Sequence, residues 1–121
     1  MTRKFVRYFA VLAFSLLSII ASAQYKMDGN TLVNSSNNNV AKIESDGKTI
    51  DDASNNTIAR VDGTTINDSH NNTVLKISGD EIVDSHNTTV GHMSDVTGSI
   101  VGAKAEAAYV ALWWFIVKGN K

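Results

Sequence analysis

The chain has 121 residues, of which 11 are lysine or arginine and 12 are acidic, giving a formal net charge of −1. This length accommodates one domain of ordinary size. The absence of cysteine excludes a disulfide framework, a thiol nucleophile and cysteine-ligated zinc. The balanced charge argues against a nucleic-acid partner, because such a partner requires a basic surface.

Residues 1–23 have the three parts of a secretory signal peptide. Three basic residues precede an uncharged apolar run of about 13 residues, which is short of the roughly 20 that a transmembrane helix needs. Small residues at positions 21–23 then form a cleavage site before Gln24. We therefore expect an exported protein, periplasmic or secreted, that meets a membrane only through its signal peptide before cleavage.

Residues 29–93 contain four copies of one pattern, and each copy begins at a glycine. Counted from that glycine, apolar residues stand at offsets 3, 11 and 14, and a polar cluster of Asn, Asp, Ser or His separates the first two. β-Branched residues on either side of the cluster favour strands, while the cluster and the Asp-Gly junctions favour tight turns. Each copy is therefore predicted to be an antiparallel β-hairpin that buries its apolar residues against the next copy. The copies begin at Gly29, Gly47, Gly63 and Gly79, and a partial fifth begins at Gly98.

The two ends of the repeat region are complementary halves of one hairpin. Residues 25–29 align with the second strand of a copy, and residues 98–101 align with a first strand that lacks its partner. A unit built from both termini would close the circle and leave no exposed sheet edge. We predict an all-β fold for residues 24–121, a closed ring of about five antiparallel β-hairpin repeats.

The segment 107–117 breaks the repeat pattern, because it is uncharged and contains both tryptophans. Two Trp and one Phe can bury roughly 150 to 250 Å² each, so we predict a buried hydrophobic strand that closes the domain. The alternative is a contact with a membrane surface or a protein partner. A membrane-spanning helix is not expected, because the segment is shorter than the roughly 18 residues required.

With these features in place, residues 25–117 resemble the small exported bacterial proteins described as five-fold beta-flower proteins. The similarity rests on a Gly-x-x-[Ile/Val]-x-[Asp/Asn] hairpin and a second strand of the form [Ile/Val]-[Gly/Ala]-[Lys/Arg]-[Ile/Val], present at 40–43, at 58–61 and more loosely at 74–77. An Ala-Ala pair ahead of an aromatic terminal run, at 107–115, is also similar. The resemblance implies five petals around an axis, and it supplies no catalytic residue.

The repeat places three aspartates, Asp52, Asp68 and Asp84, at one offset, where the first copy has Asn34. Oxygen atoms that converge from neighbouring copies would suit a hard cation such as Ca²⁺. Alternatively, each side chain accepts backbone N–H groups within its own turn. The sequence leaves both interpretations open.

Two histidines, His70 and His86, also share an offset. They would hold a transition metal if the hairpin tips converge, or lie apart as solvated turn residues if the tips point outward. A Ser-His-Asp triad within residues 68–70 is excluded, because adjacent residues of a tight turn cannot form the nucleophile–base–orienter chain. No cofactor is predicted, and no metal or catalytic residue is assigned.

Two functional hypotheses follow from these features. The first is an exported non-enzymatic protein, structural or binding, because every repeated polar position has an explanation in folding; a carbohydrate-binding or cation-binding surface, with a glycan or a protein as partner, is an alternative. The second is a glycan hydrolase that uses paired carboxylates of neighbouring copies. Such a pair requires one carboxyl group with a raised pKa, roughly 5 to 9.5 Å from the other. We favour the first hypothesis and expect no enzyme activity.

Overall fold

The computed structural model describes residues 24–120, which form one ten-stranded sheet with helical segments near the carboxyl end. Neighbouring strands pair antiparallel in chain order from β1 to β9, so the predicted meander of hairpins is confirmed and the fold is all-β in class. The predicted signal peptide lies outside the described residues. The strands are β1 (Tyr25–Asp28), β2 (Thr31–Val33), β3 (Asn39–Ile43), β4 (Thr49–Asp52), β5 (Thr57–Asp62), β6 (Thr65–Asp68), β7 (Thr73–Ser78), β8 (Glu81–Asp84), β9 (Thr89–His92) and β10 (Ile100–Val101).

Two backbone positions in each copy adopt the left-handed conformation, and both carry residues that tolerate it. The glycine that opens each copy has a φ between 62° and 71°. The residue at offset 8 has a φ between 64° and 67°, and it is asparagine in every copy: Asn37, Asn55, Asn71 and Asn87. A Cβ makes this conformation costly, and glycine and asparagine bear that cost best. The repeated turn residues therefore fix where each hairpin reverses.

The innermost residues of the sheet stand at offsets 3 and 12, which face each other across each hairpin. All of them are buried, in the pairs Leu32–Ala41, Ile50–Ala59, Ile66–Leu75 and Ile82–Gly91. The predicted burial at offset 3 is confirmed, but offset 11 is only half-buried in every copy. The reason is a β-bulge: Val40, for example, is an extra residue between the paired positions Leu32–Ala41 and Val33–Asn39. A bulge interrupts the alternation of inward-facing and outward-facing side chains. The residue that faces the core is therefore at offset 12 and not at offset 11, where the apolar spacing predicted it.

The prediction of a closing carboxyl-terminal strand is wrong, because the segment is helical. A short helix α1 (Met93–Ser99) precedes β10, and helix α2 (Ala107–Leu112) continues into a π-helical turn (Trp113–Val117). Burial of the segment is confirmed, since residues 108–113 are all at most 9% exposed and share one core with the inner residues of the four copies. A buried strand needs a neighbouring strand to accept and donate its backbone hydrogen bonds. A buried helix makes these hydrogen bonds within itself. Three alanines and a leucine also favour the helix.

The terminal strands meet at one edge of the sheet, but they pair in parallel and so do not form the antiparallel hairpin that the sequence predicted. Strand β10 pairs with β1, in parallel, through Tyr25–Ile100 and Lys26–Val101. Ile100 is fully buried, and Val101, which has the apolar offset of the fifth unit, is 57% exposed. The ladder of strand pairs is open between β9 and β10, which α1 connects, so a fully closed ring is not confirmed. Within residues 24–120, no helix has the length and apolar character needed to cross a bilayer.

Candidate functional site

Each hairpin ends in a turn that the side chain at offset 5 organises. In the third copy, Oδ1 of Asp68 accepts the backbone N–H groups of His70 and Asn72, both at 2.9 Å. Backbone hydrogen bonds between Asp68 and Asn72 at 2.9 Å and from Asn71 to Asp68 at 3.0 Å complete the turn. The same bonds recur in the other copies, where the acceptors are Asn34, Asp52 and Asp84. Of the two interpretations of these residues, the structure shows the turn role.

The turn hydrogen bonds hold the pKa of two of these carboxyl groups below the usual aspartate value. For Asp68 the largest cause is the N–H of Asn72, and for Asp84 it is the N–H of Thr88. Burial acts in the opposite direction but is outweighed by the hydrogen bonds together with the neighbouring histidine of each turn. Both carboxylates are therefore ionised at neutral pH, which is the opposite of what a hydrolytic proton donor requires.

Among residues 24–120, no group of three or more His, Asp or Glu side chains is placed to hold a metal ion. His70 and His86 are both exposed residues of their turns. Asp52, Asp68 and Asp84, the candidates for a cation ring, lie in three separate turns with equivalent internal hydrogen bonds.

A cleft of about 370 Å³, which we name the tip cleft, opens beside the tips of the second and third hairpins. It brings together side chains from two neighbouring copies and from the carboxyl-terminal segment. The described residues that line it are Asp52, Ile58, Asp68, Ser69, His70, Phe115, Ile116 and Asn120. Three of the five candidate site residues from the sequence therefore share one concavity, and Asp84 and His86 are not among its lining residues.

The tip cleft combines an apolar surface with a polar rim. Ile58, Phe115 and Ile116 supply the apolar surface, and each is only half-buried by the rest of the chain. Phe115 and Ile116 lie in the π-helical turn, which is closed by a 2.9 Å hydrogen bond from the Lys118 N–H to the Trp113 carbonyl. The sequence did not indicate these three residues, because nothing in it says which hairpins the last segment meets.

The sequence did not indicate the acidic pair formed by Glu44 and Asp51. Asp51 is 4% exposed and accepts a 3.1 Å hydrogen bond from the Thr57 hydroxyl. A hydrogen bond with Asp51 is the largest cause that raises the pKa of Glu44, followed by burial and by repulsion from Asp51 and Asp46. Neither Glu44 nor Asp51 is among the described residues that line the tip cleft.

These features define a class of repeat protein in which β-hairpins with turns built on Asp or Asn share one core with a carboxyl-terminal helical segment. The chain belongs to the 5-fold beta-flower protein family, whose family model matches residues 18–115. The resemblance noted in the repeats and the carboxyl-terminal run is thereby confirmed. No match was found among curated proteins or among solved structures.

Proposed function

We propose that this beta-flower protein is an exported, non-enzymatic binding module that takes its ligand in the tip cleft. The observation that carries the proposal is the convergence of two copies and the carboxyl-terminal segment on one apolar concavity with a polar rim. Ligand sites are commonly concave, mostly apolar and equipped with a few polar groups that orient the ligand. The signal-peptide pattern of residues 1–23 supports export.

The absence of an enzymatic role is part of this proposal. The carboxylate of Asp68 in the cleft has a lowered pKa, so it is unsuited to proton donation at neutral pH. Ser69 and His70 are neighbours in the chain, and the 3.5 Å separation of Oγ and Nδ1 is at the limit of a hydrogen bond. No third group orients that histidine through a hydrogen bond among the side chains described in residues 24–120. Binding is therefore the function that this geometry supports best.

We further propose that the ring of petals is completed by packing. The sheet edges β9 and β10 are joined by α1, whose buried residues Met93 and Val96 belong to the same core as α2. A core shared by both edges holds them at a fixed separation without a hydrogen-bonded ladder between them. The tip cleft depends on this arrangement, because Phe115 and Ile116 follow directly after α2.

Two matched substitutions test the binding site. Ser69→Trp places a large side chain at the tip cleft, whereas Ser85→Trp makes the same change at the equivalent position of the fourth copy, which is not among the residues lining the cleft. Small apolar, cationic and sugar-headed fragments are screened by ¹H–¹⁵N NMR. We expect a binding fragment to shift the signals of His70, Phe115 and Asn120 in the wild type and in Ser85→Trp.

The Ser69→Trp variant is expected to lose those shifts while its spectrum remains that of a folded protein. Loss in both tryptophan variants, or fragment binding that leaves the cleft signals unmoved, would contradict the proposed site. A screen in which no fragment shifts the cleft signals in the wild type would count equally against it.

A further inference from the structure

The rim of the tip cleft is acidic, and the histidine among its described lining residues, His70, lies in the same turn as Asp68. Two of its described lining residues are aspartates, and none is lysine or arginine. Lys118, which adjoins the π-helical turn, places its Nζ over the ring of Trp113, 5.2 Å from the ring centroid. Among residues 24–120, neither Asp52 nor Asp68 has an ion-pair partner within 4.0 Å. The carboxylates at the cleft are therefore available to a ligand.

The backbone hydrogen bonds that residues 24–120 make to these two aspartates all end on one carboxylate oxygen of each. The bonds from described residues to Asp52 come from the N–H groups of Ser54 and Asn56, both to Oδ1. The bonds to Asp68 likewise end on Oδ1. In each side chain Oδ2 remains to accept a hydrogen bond or to face a cation.

The cleft also has an apolar side, which can contact the uncharged part of a ligand that carries a positive charge. Phe115, Ile116 and Ile58 present half-buried apolar surface beside the carboxylates. An aromatic ring also attracts a cation placed over its face, within about 6 Å of the ring centroid. The lining thus combines a hydrophobic contact area with two groups that favour positive charge.

We propose that the tip cleft binds a cationic amphiphile, a molecule with an apolar body and an ammonium or guanidinium head that faces Asp52 and Asp68. This inference rests on the proposed function of the cleft and adds the chemical class of the ligand. An anionic head is repelled by both carboxylates. A neutral sugar head would cover the carboxylates without supplying a counter-charge, which costs free energy.

Three probes with one tail and different heads test the inference. Octyltrimethylammonium, octyl glucoside and octyl sulfate are titrated below their critical micelle concentrations, and affinities are read from the NMR shifts of the cleft residues. We expect the ammonium probe to bind tightest. Asp68→Asn and Asp52→Asn should each weaken it about fivefold, a typical size for a solvent-accessible ion pair.

Asp84→Asn is the matched control, because it removes the same charge from an equivalent turn that does not contribute to the cleft lining. Asparagine is compatible with this turn, since Asn34 makes the same hydrogen bonds in the first copy. We expect Asp84→Asn to leave the affinity for octyltrimethylammonium unchanged.

Equal losses in Asp68→Asn and Asp84→Asn would overturn the inference, because the attraction would then come from the overall charge. Tighter binding of octyl glucoside or octyl sulfate at the cleft would also overturn it, while the cleft would stand as a binding site. Failure of octyltrimethylammonium to shift the cleft signals would overturn the inference as well. The proposed function itself is decided separately, by the tryptophan variants and the fragment screen.

Discussion

At offset 5 the first copy has asparagine where the other three copies have aspartate, so it shows the geometry of the turn without the charge of a carboxylate. Oδ1 of Asn34 accepts the N–H groups of Ser36 and Asn38 at 3.0 Å, and Oδ1 of Asp68 makes the corresponding bonds at 2.9 Å. A neutral amide oxygen therefore satisfies the same donors as a carboxylate oxygen. The three aspartates add charge to a turn that folds without it, and the effect of that charge can be measured.

The first prediction concerns stability in acid. The folded-state pKa values of Asp68 and Asp84 are lowered from 3.8 by hydrogen bonds to the ionised form. Their contribution to stability is present above the unfolded-state pKa and is lost as the pH falls through the folded-state pKa. We expect the melting temperature to decrease below about pH 4, and to decrease less in the Asp68→Asn/Asp84→Asn double variant. Circular dichroism melts across the acid range measure both curves.

The comparison between variants matters because other carboxyl groups titrate in the same range. The raised pKa of Glu44 contributes with the opposite sign, since that stabilisation is present at low pH and is lost as the pH rises. Asp62→Asn is the control, because no hydrogen bond to that exposed carboxylate is found among the described residues. An equal decrease in melting temperature at low pH in the double variant and in the wild type would contradict the prediction.

At the scale of the elements, the contact between β9 and the π-helical turn explains an exception in the repeat. Offset 12 carries alanine, alanine and leucine in the first three copies but Gly91 in the fourth. A Cβ placed on Gly91 would lie 2.6 Å from Cη2 and 3.2 Å from Cζ2 of Trp113. This distance is too short for any side chain. Glycine is therefore needed where the buried indole of Trp113 packs against the sheet.

The second prediction is that Gly91→Ala destabilises the protein by about 1 to 3 kcal/mol, because the core is overpacked. The substitution should cost less in a Trp113→Phe background, since the smaller ring withdraws from the new methyl group. Urea unfolding of the four proteins in this double-mutant cycle gives the coupling energy.

Gly98→Ala serves as the control for the alanine substitution. Gly98 lies in α1, and a Cβ there meets no atom within 4 Å. Alanine in a helix is favoured over glycine by about 0.5 to 1 kcal/mol, so this variant is expected to be slightly more stable than the wild type. Additive effects of Gly91→Ala and Trp113→Phe would refute the proposed contact.

Elements whose causes are local could be predicted from the sequence, and elements whose causes are distant in the chain could not. The hairpins follow from repeated turn positions such as Asn71 and Gly63, whose residue types tolerate the left-handed backbone found there. A short apolar run such as 107–117 is compatible with a strand or a helix, and the surrounding sheet decides between them. The tip cleft was predictable only in part: Asp68 stood out by its repetition, whereas Phe115 reaches the cleft through the path of the whole chain.

At the scale of the whole molecule, the first and last strands of the chain, β1 and β10, pair with each other. Ile100 pairs with Tyr25 and is fully buried in the core, while its neighbour Val101 pairs with Lys26 and is 57% exposed. The same core includes α2 and the buried Trp113. The terminal unit, formed by β1 and β10, should therefore unfold together with the rest of the domain and not separately.

The third prediction tests this coupling with two adjacent substitutions. Ile100→Ala is expected to lower the free energy of unfolding by about 2 to 5 kcal/mol, because it leaves a cavity in the shared core. Val101→Ala, the control in the same strand, should change it by no more than about 0.5 kcal/mol. Tryptophan fluorescence during urea unfolding is the measurement, since Trp113 is buried in the core and distant in sequence from β1. If the terminal unit opened independently, Ile100→Ala would leave the fluorescence transition where it is in the wild type. A transition that shifts with Ile100→Ala and stays with Val101→Ala would show that the joined ends support the core that carries the tip cleft.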